Sequence, residues 1–124
     1  MRNWAIFIAF GTLTASLTAA QPAYQLVWED EFDGQALDDS SWTPQIGDGS
    51  IYGIPGWGNN ELQYYTDRPE NIQVGGGTLK IIARRENFAG HQYTSARLRT
   101  LGNLEFTYGK VEASMKLPST PGIW

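Results

Sequence analysis

Residues 110–117 read Lys-Val-Glu-Ala-Ser-Met-Lys-Leu and alternate polar with apolar side chains at every position. Successive side chains of a β-strand point to opposite faces, so the four apolar residues would share one face of the strand. This pattern is typical of a sheet that has one packed face and one face in contact with water. The stretch therefore predicts a β-strand and favours an all-β chain.

Other segments support the same fold class. The further strand candidates are Gln25–Trp28, Leu79–Arg84 and Thr94–Thr100. Turn signals separate them at Asp33-Gly34, Gly75-Gly76-Gly77, Ala89-Gly90-His91 and Leu101-Gly102-Asn103. No segment after residue 20 has a convincing helical period. Short strands at this spacing predict an all-β sandwich or barrel.

The first twenty residues have the layout of a secretory signal peptide. Arg2 gives a positive start, residues 4–17 are largely apolar, and Thr18-Ala19-Ala20 offers the small residues that a signal peptidase reads. The alternative is an uncleaved anchor helix, but the apolar stretch is shorter than the ~20 residues that span a bilayer. We expect cleavage after Ala20, an extracellular or periplasmic mature protein without membrane attachment, and one domain that occupies residues 21–124.

Composition narrows the classes of partner. The chain has no cysteine, which excludes disulfides, thiolate metal sites and a cysteine nucleophile. Without Arg2 it carries eight basic and 13 acidic residues, and nucleic-acid binding requires clustered cations. A neutral polymer is the better match to this surface.

Aromatic residues give the first functional indication. The flat faces of Trp and Tyr rings pack against the C–H faces of sugars. Residues 47–58 contain five glycines, Pro55 and Trp57, and predict a long surface loop, and Asn59 and Asn60 follow it directly. Trp57 fits a sugar site and a packed core equally well, whereas Trp28 and Trp42 are predicted to be core residues.

Charged residues leave two interpretations open. Arg97 lies opposite Ala96 and Leu98 in its predicted strand, so it is either a cleft residue that bridges sugar hydroxyls or an exposed strand arginine. His91 is the only histidine, which argues against a Ser-His-Asp triad, and its turn predicts a solvent-facing side chain. The acidic run at residues 29–33 leads into an Asp-Gly turn and suggests a solvated or cation-binding segment.

Seven blocks, taken in order, resemble the opening of glycoside hydrolase family 16 laminarinases. They begin with Val27–Phe32, Leu37–Trp42, Gly56–Thr66 and Arg68–Asn71, and continue with Tyr93–Leu98, Tyr108–Ala113 and Lys116–Pro118. The similarity covers nearly all of residues 25–124. Seven blocks in the family's order make a chance match improbable.

The resemblance implies a β-jelly-roll of two stacked antiparallel sheets, of the concanavalin A-like lectin and glucanase type, incomplete in this chain. It implies a monomer that binds a β-glucan in the groove of a concave sheet and cleaves internal β-1,3 or mixed β-1,3/1,4 linkages with retention, without a required cofactor. In relatives, residues that match Asn59 or Asn60 and Arg97 contact the sugar, and a tryptophan that matches Trp124 forms part of the groove wall. Together with Trp57 of the glycine-rich loop, these are the predicted substrate-binding residues. Backbone oxygens near Glu31 and Gly77 would help to hold a structural calcium ion, together with a C-terminal aspartate that this chain lacks.

The resemblance does not supply catalytic residues. The family's nucleophile and acid/base glutamates lie in the pattern E-x-D-x-x-E, which does not occur in residues 1–124. We therefore assign no catalytic residue and expect this chain to be an inactive N-terminal fragment of a glucanase. We also expect the fragment to fold poorly by itself. Two alternatives stay open: a glucan-recognition protein that binds without cutting, and a secreted β-sandwich with no sugar role.

Overall fold

The computed structural model describes residues 4–9, as backbone, and residues 24–121, and within them the chain is built of strands, as predicted. The strands are β1 Trp4–Ala9, β2 Tyr24–Glu29, β3 Thr43–Pro44, β4 Gln63–Tyr65, β5 Ile72–Val74, β6 Leu79–Ile81, β7 Arg84–Phe88, β8 His91–Ser95, β9 Leu98–Arg99 and β10 Lys110–Ala113. Two short 3-10 helices span Ser50–Tyr52 and Pro55–Gly58. The described residues contain no helix of the length and apolarity that crossing a membrane requires.

The chain divides into two compact units, and the first consists of residues 1–31 and 106–124. Its sheet has the antiparallel order β10-β1-β2, and Trp4 stands opposite Ala113 at the end of the β1–β10 ladder. Strand β10 ends at Ala113 and residues 114–117 are not in a strand, so the predicted extension to Leu117 is wrong. Met115 and Leu117 are both exposed.

Strand β1 lies inside the segment predicted to be a signal peptide. In the uncleaved chain it pairs with β2 on one side and with β10 on the other. Cleavage after Ala20 would remove this central strand. The signal peptide and the domain limits stay predictions.

The second unit, residues 32–105, contains the turn signals of the sequence. Strands β5 and β6 form an antiparallel hairpin around Gly76 and Gly77, whose φ angles are +60° and +70°. Strands β7 and β8 form a second hairpin around Ala89 and Gly90, with φ of +49° and +84°. Glycine reaches this left-handed region at little cost, which is why the glycine signals predicted a turn at each of these two positions.

Strand β4 pairs with β8 in parallel, with Gln63 opposite Tyr93 and Tyr65 opposite Ser95. The resemblance implied antiparallel sheets only, so this pair differs from the expectation. A parallel pair needs a long crossover, and the two intervening hairpin strands β5 and β6 together with β7 provide it.

The predicted strand Thr94–Thr100 is divided in two. Strand β8 ends at Ser95, whose carbonyl accepts a bond from the Thr66 amide, and β9 pairs instead with β3. The chain changes partner at residues 96 and 97, so one continuous alternation corresponds to two strands. This break also determines where the Arg97 side chain is anchored.

A buried polar network supports the second unit. Asn71 and Thr94 are fully buried, and the Asn71 amide nitrogen donates to Thr94 Oγ1 at 3.0 Å and to the Ile82 carbonyl at 2.9 Å. Its oxygen accepts bonds from Thr66 Oγ1 at 2.5 Å and Arg68 Nη2 at 3.2 Å. Because each polar atom of this side chain has a partner, its burial costs little, and the bonds join β8 to the segments on either side of β5 and β6.

Candidate functional site

Residues 47–58 form a tight loop instead of an open surface excursion. Gly49 has φ of +89°, and a Cβ there would overlap the Ile54 carbonyl oxygen and lie 3.0 Å from the Trp57 amide nitrogen. The Trp57 indole Nε1 donates to the Gly47 carbonyl at 3.2 Å and closes the loop from inside. The loop is thus organised around Trp57.

Trp57 supports the site without presenting a free stacking face. Trp57 is 5% exposed. The centroid of its ring lies 5.2 Å from that of the Tyr52 ring and 5.6 Å from that of the Tyr65 ring. The Arg97 guanidinium carbon stands 4.5 Å from the indole centroid, a cation–π geometry. Trp57 is therefore packed in this structure, with Arg97 over its ring, and its predicted contact with a sugar stays a prediction.

Arg97 is held from three directions. Its plane lies over Trp57, its Nε donates to Gln45 Oε1 at 3.0 Å, and its Nη1 lies 3.8 Å from Glu61 Oε1. Its side chain nevertheless remains 41% exposed. Arg97 is therefore both oriented by its neighbours and partly exposed, which agrees with the cleft interpretation, and its predicted role in sugar binding stays a prediction.

Glu61 was not among the predicted binding residues, although it directly follows Asn59 and Asn60 in the sequence. Its Oε2 accepts bonds from Gln63 Nε2 at 2.6 Å and from the Tyr65 hydroxyl at 2.7 Å, and its Oε1 faces Asn59 Nδ2 at 3.4 Å. Its side chain is only 18% exposed. Position 61 lies inside the Gly56–Thr66 block, so the block was recognised, but no local pattern marks Glu61 as the point where these side chains meet.

The same contacts change the acidity of Tyr65. Burial of the phenol raises the pKa of Tyr65, and the hydrogen bond to Glu61 and the charge of that carboxylate raise it further. A phenol with a raised pKa stays protonated and donates its hydrogen bond to Glu61 at all physiological pH values.

The remaining predicted binding residues have different positions. Asn59 and Asn60 are exposed, and Asn60 adopts φ of +56°, a conformation that asparagine tolerates better than most residues. Asn59 approaches Glu61 as described above and so joins the same site. Trp124 lies outside the described residues, and its predicted role stays a prediction.

We call the group Gln45, Asn59, Glu61, Gln63, Tyr65 and Arg97 the Arg97 cluster. It combines amide, phenol and guanidinium donors with carboxylate and amide acceptors, next to the packed indole of Trp57. Sugar hydroxyls bind to sites with such donors and acceptors. Glu61 is its single carboxylate. Glycoside hydrolysis by the common mechanism needs two facing carboxyl groups, so the cluster is suited to binding and not to bond cleavage.

His91 is half-buried and not solvent-facing as predicted. Its ring lies 5.5 Å from the Tyr64 ring, its Nδ1 lies 3.2 Å from the Leu62 carbonyl oxygen, and its Nε2 lies 3.8 Å from Asp48. Hydrogen bonds from the Ser50 backbone amide and hydroxyl, with a smaller contribution from His91, lower the pKa of Asp48. His91 thus fastens the β7–β8 turn to the loop at residues 47–58.

The calcium prediction receives no support from side-chain ligands. Within residues 24–121 no group of three or more His, Cys, Asp or Glu side chains could hold a metal ion. The predicted ligands were backbone oxygens near Glu31 in the first unit and Gly77 in the second. That site stays a prediction.

A separate cleft of about 520 Å³ lies between residues 35–39 and strand β5. Leu37, Pro69, Ile72 and Val74 line its apolar part. Its lining includes no aromatic residue and no member of the Arg97 cluster, so this cleft and the candidate site are different places.

No family model matches the chain, but individual proteins do. It is 45% identical over 121 residues to the β-glucanase of Rhodothermus marinus, covering 96% of this chain and 40% of that protein. It is 50% identical over 104 residues to the clotting factor G alpha subunit of Tachypleus tridentatus, covering 84% of this chain and 14% of that protein. The chain thus spans less than half the length of either relative.

Solved structures match as well. The catalytic domain of an endo-1,3-β-glucanase (laminarinase) from Thermotoga petrophila superposes with a TM-score of 0.64 at 49% identity, covering 68% of this chain and 34% of that chain. The resemblance to laminarinase-type β-glucanases is therefore shown by sequence and by structure. The jelly-roll fold class is confirmed with it.

Proposed function

We propose, from the premise that this chain matches laminarinase-type β-glucanases of glycoside hydrolase family 16, that its protein hydrolyses internal β-1,3 linkages of β-glucan. The Arg97 cluster would then bind the sugar chain beside the cleavage point. The observation that carries the proposal is the position of Arg97, which lies over Trp57 and donates to Gln45 while its side chain remains 41% exposed.

The chemistry of the cluster agrees with a neutral polysaccharide. Sugar hydroxyls both donate and accept, and they require partners that are fixed in direction because mobile side chains lose conformational entropy on binding. Arg97, Asn59 and Glu61 are fixed by one another in the free protein. Preorganised donors of this kind bind more tightly than mobile ones of the same chemistry.

The first test is binding of a β-1,3-linked glucose hexasaccharide by calorimetry, using the chain as its gene encodes it, including any sequence beyond Trp124. Arg97→Lys removes the planar stack on Trp57 and the Nε bond to Gln45, so we expect about tenfold weaker binding. Arg85→Lys is the matched control, because Arg85 is exposed on β7 outside the cluster. If Arg97→Lys binds as tightly as the unaltered protein, the Arg97 cluster is not the sugar site.

Three finer features belong to the same proposal. The protein would be secreted after cleavage behind Ala20, it would act with retention of configuration through two glutamates, and it would be a monomer. The pattern E-x-D-x-x-E does not occur in residues 1–124, so a protein limited to these residues would bind glucan without cutting it. Assay on laminarin with and without the coding sequence that follows Trp124 tests this directly.

A second candidate function is glucan recognition without hydrolysis. A relative with 50% identity carries the name of a clotting-factor subunit and not that of a glycosidase. The Arg97 cluster, with one carboxylate, serves binding equally well in either case. A natural full-length protein that binds the hexasaccharide but releases no reducing ends would favour recognition.

A further inference from the structure

The Glu61 carboxylate is the common neighbour of four side chains in the Arg97 cluster. Oε2 accepts from Gln63 and Tyr65, while Oε1 lies 3.4 Å from Asn59 Nδ2 and 3.8 Å from Arg97 Nη1. Two of these neighbours, Asn59 and Arg97, were predicted to bind the sugar. Glu61 therefore contacts both predicted sugar-binding residues that join the cluster.

The contacts of Glu61 restrict rotation about the ends of long side chains. Trp57 fixes the plane of the guanidinium, and Gln45 fixes its Nε edge. The carboxylate then lies on the Nη1 side, so the guanidinium cannot turn within its plane without losing both polar contacts. The Arg97 side chain is nevertheless 41% exposed, so part of it stays accessible to a ligand.

The negative charge of Glu61 also affects which sugars the site can bind. An arginine with an open edge would attract sulfate or carboxylate groups of acidic polysaccharides, because guanidinium binds such anions bidentately. Here a carboxylate 3.8 Å away offsets that charge in a half-buried setting, where screening by water is weaker than in bulk solvent. An anionic sugar would meet the negative charge of Glu61 as well as the positive charge of Arg97.

We propose that Glu61 is a positioning residue of the sugar site: it aims the donors of Arg97 and Asn59 and restricts the site to uncharged sugars. The inference rests on the proposed function, since it assumes that this cluster binds a sugar chain. Glu61 touches no reacting atoms in this account. Its effect passes through its neighbours and through its charge.

The test is Glu61→Gln in the chain as encoded, which keeps the size of the side chain and removes its charge. Calorimetry would compare two probes, the neutral β-1,3-linked glucose hexasaccharide and its sulfated derivative. We expect about tenfold weaker binding of the neutral probe, the scale of a charge-assisted hydrogen bond. We also expect the variant to bind the sulfated probe at least tenfold more tightly than the unaltered protein does.

A spectroscopic readout separates this role from a general structural one. Glu61 helps to raise the pKa of Tyr65, so Glu61→Gln should lower the Tyr65 pKa in a titration followed by NMR of labelled tyrosine. Glu70→Gln, at an exposed position outside the cluster, should change neither the affinities nor that pKa. An unchanged Tyr65 pKa in Glu61→Gln would contradict the geometry on which the inference depends.

Tyr65→Phe provides a second variant if Glu61→Gln does not fold. It frees one carboxylate oxygen but keeps the charge, so it should weaken binding of the neutral probe severalfold and still exclude the sulfated one. Acceptance of the sulfated probe by Tyr65→Phe would overturn the charge argument. If the unaltered protein does not bind the neutral probe, the proposed function fails. If it binds and Glu61→Gln binds each probe with the same affinity as the unaltered protein, only the Glu61 inference fails.

Discussion

Several residues around the Arg97 cluster adopt left-handed backbone conformations, which residues other than glycine rarely adopt. Trp57 has φ of +52° and Asn60 has φ of +56°, while Gly49 and Gly53 have φ of +89° and +72°. For a bulky residue such as Trp57 this conformation costs about 1–3 kcal/mol. The buried indole and its bond to Gly47 offset that cost, so backbone strain and ring packing at position 57 depend on each other.

The first prediction at this scale concerns Gly49. Gly49→Ala would force a Cβ into the Ile54 carbonyl oxygen and against the Trp57 amide, and we expect a loss of about 2–4 kcal/mol in unfolding free energy. Gly53→Ala is the control, because Gly53 also has positive φ but has open space around it. Urea denaturation measures both. Equal losses for the two variants would show that backbone strain alone, without the overlap, accounts for the need for glycine at position 49.

At the scale of elements, one ionic and hydroxyl network links β7 to β8 and to the turn that precedes β5. Glu86 on β7 accepts bonds from Thr94 Oγ1 on β8 and from Arg68 Nη2, both at 2.5 Å. The Arg68 guanidinium also lies 4.2 Å from the Phe88 ring centroid. The hydrogen bond from Thr94, and then the bond and charge of Arg68, lower the pKa of Glu86.

This shift predicts acid sensitivity of the second unit. A carboxyl whose pKa is lower in the folded state stabilises that state fully above the ordinary glutamate pKa of about 4.3, and this stabilisation is lost as the pH falls through the folded-state pKa. The unfolding free energy should therefore decrease below about pH 4, and Glu86→Gln should reduce the steepness of that decrease. Asp38, whose pKa is lowered by bonds from Ser40 and Ser41, would maintain part of the slope.

The measurement is urea unfolding at several pH values between about 3 and 7. The Glu86→Gln variant should be less stable at neutral pH and should approach the unaltered protein in stability at the acidic end. Glu70→Gln serves as the control from an exposed turn. Parallel pH profiles for Glu86→Gln and the unaltered protein would contradict the contribution of Glu86 to the acid sensitivity.

At the scale of the whole molecule, the described residues bury few apolar side chains. Phe32, Trp57 and Ala96 are the buried apolar residues among them, whereas Leu62, Tyr108, Met115 and Leu117 are more than 60% exposed. A jelly-roll relies on strands that are distant in sequence to cover its sheets, and unpaired edges favour association with other chains. The expectation that residues 21–124 fold poorly by themselves agrees with this distribution and stays a prediction.

The prediction at this scale concerns β1. A chain that begins at Gln21 lacks the strand that pairs with both β2 and β10, so their amides should exchange with solvent at least tenfold faster than in the chain that begins at Met1. Hydrogen exchange read by NMR measures this. Amides of β7 and β8, which belong to the other unit, provide the internal reference. Unchanged protection in β2 and β10 would mean that β1 contributes nothing to that sheet.

The sequence by itself determined the local features. Alternation predicted β2 and the first halves of the strands at residues 79–84 and 110–117, which end at Ile81 and Ala113. The glycine signals predicted the turns of both hairpins, because these patterns depend only on neighbours along the chain. The order of the motifs pointed to the laminarinase resemblance and to Arg97 and Asn59. The sequence did not predict the partner change at residues 96 and 97, since it depends on pairing with β3.

Only the tertiary structure decided what the candidate site is. It brings Gln45 to Arg97 across 52 positions and sets Arg97 against Trp57 and Glu61. No local period or turn rule encodes contacts between side chains so far apart, because they arise from strand pairing and loop packing together. For this reason Trp57 was equally compatible with a core and a sugar site from sequence, and Glu61 acquired a role only once its neighbours were in place.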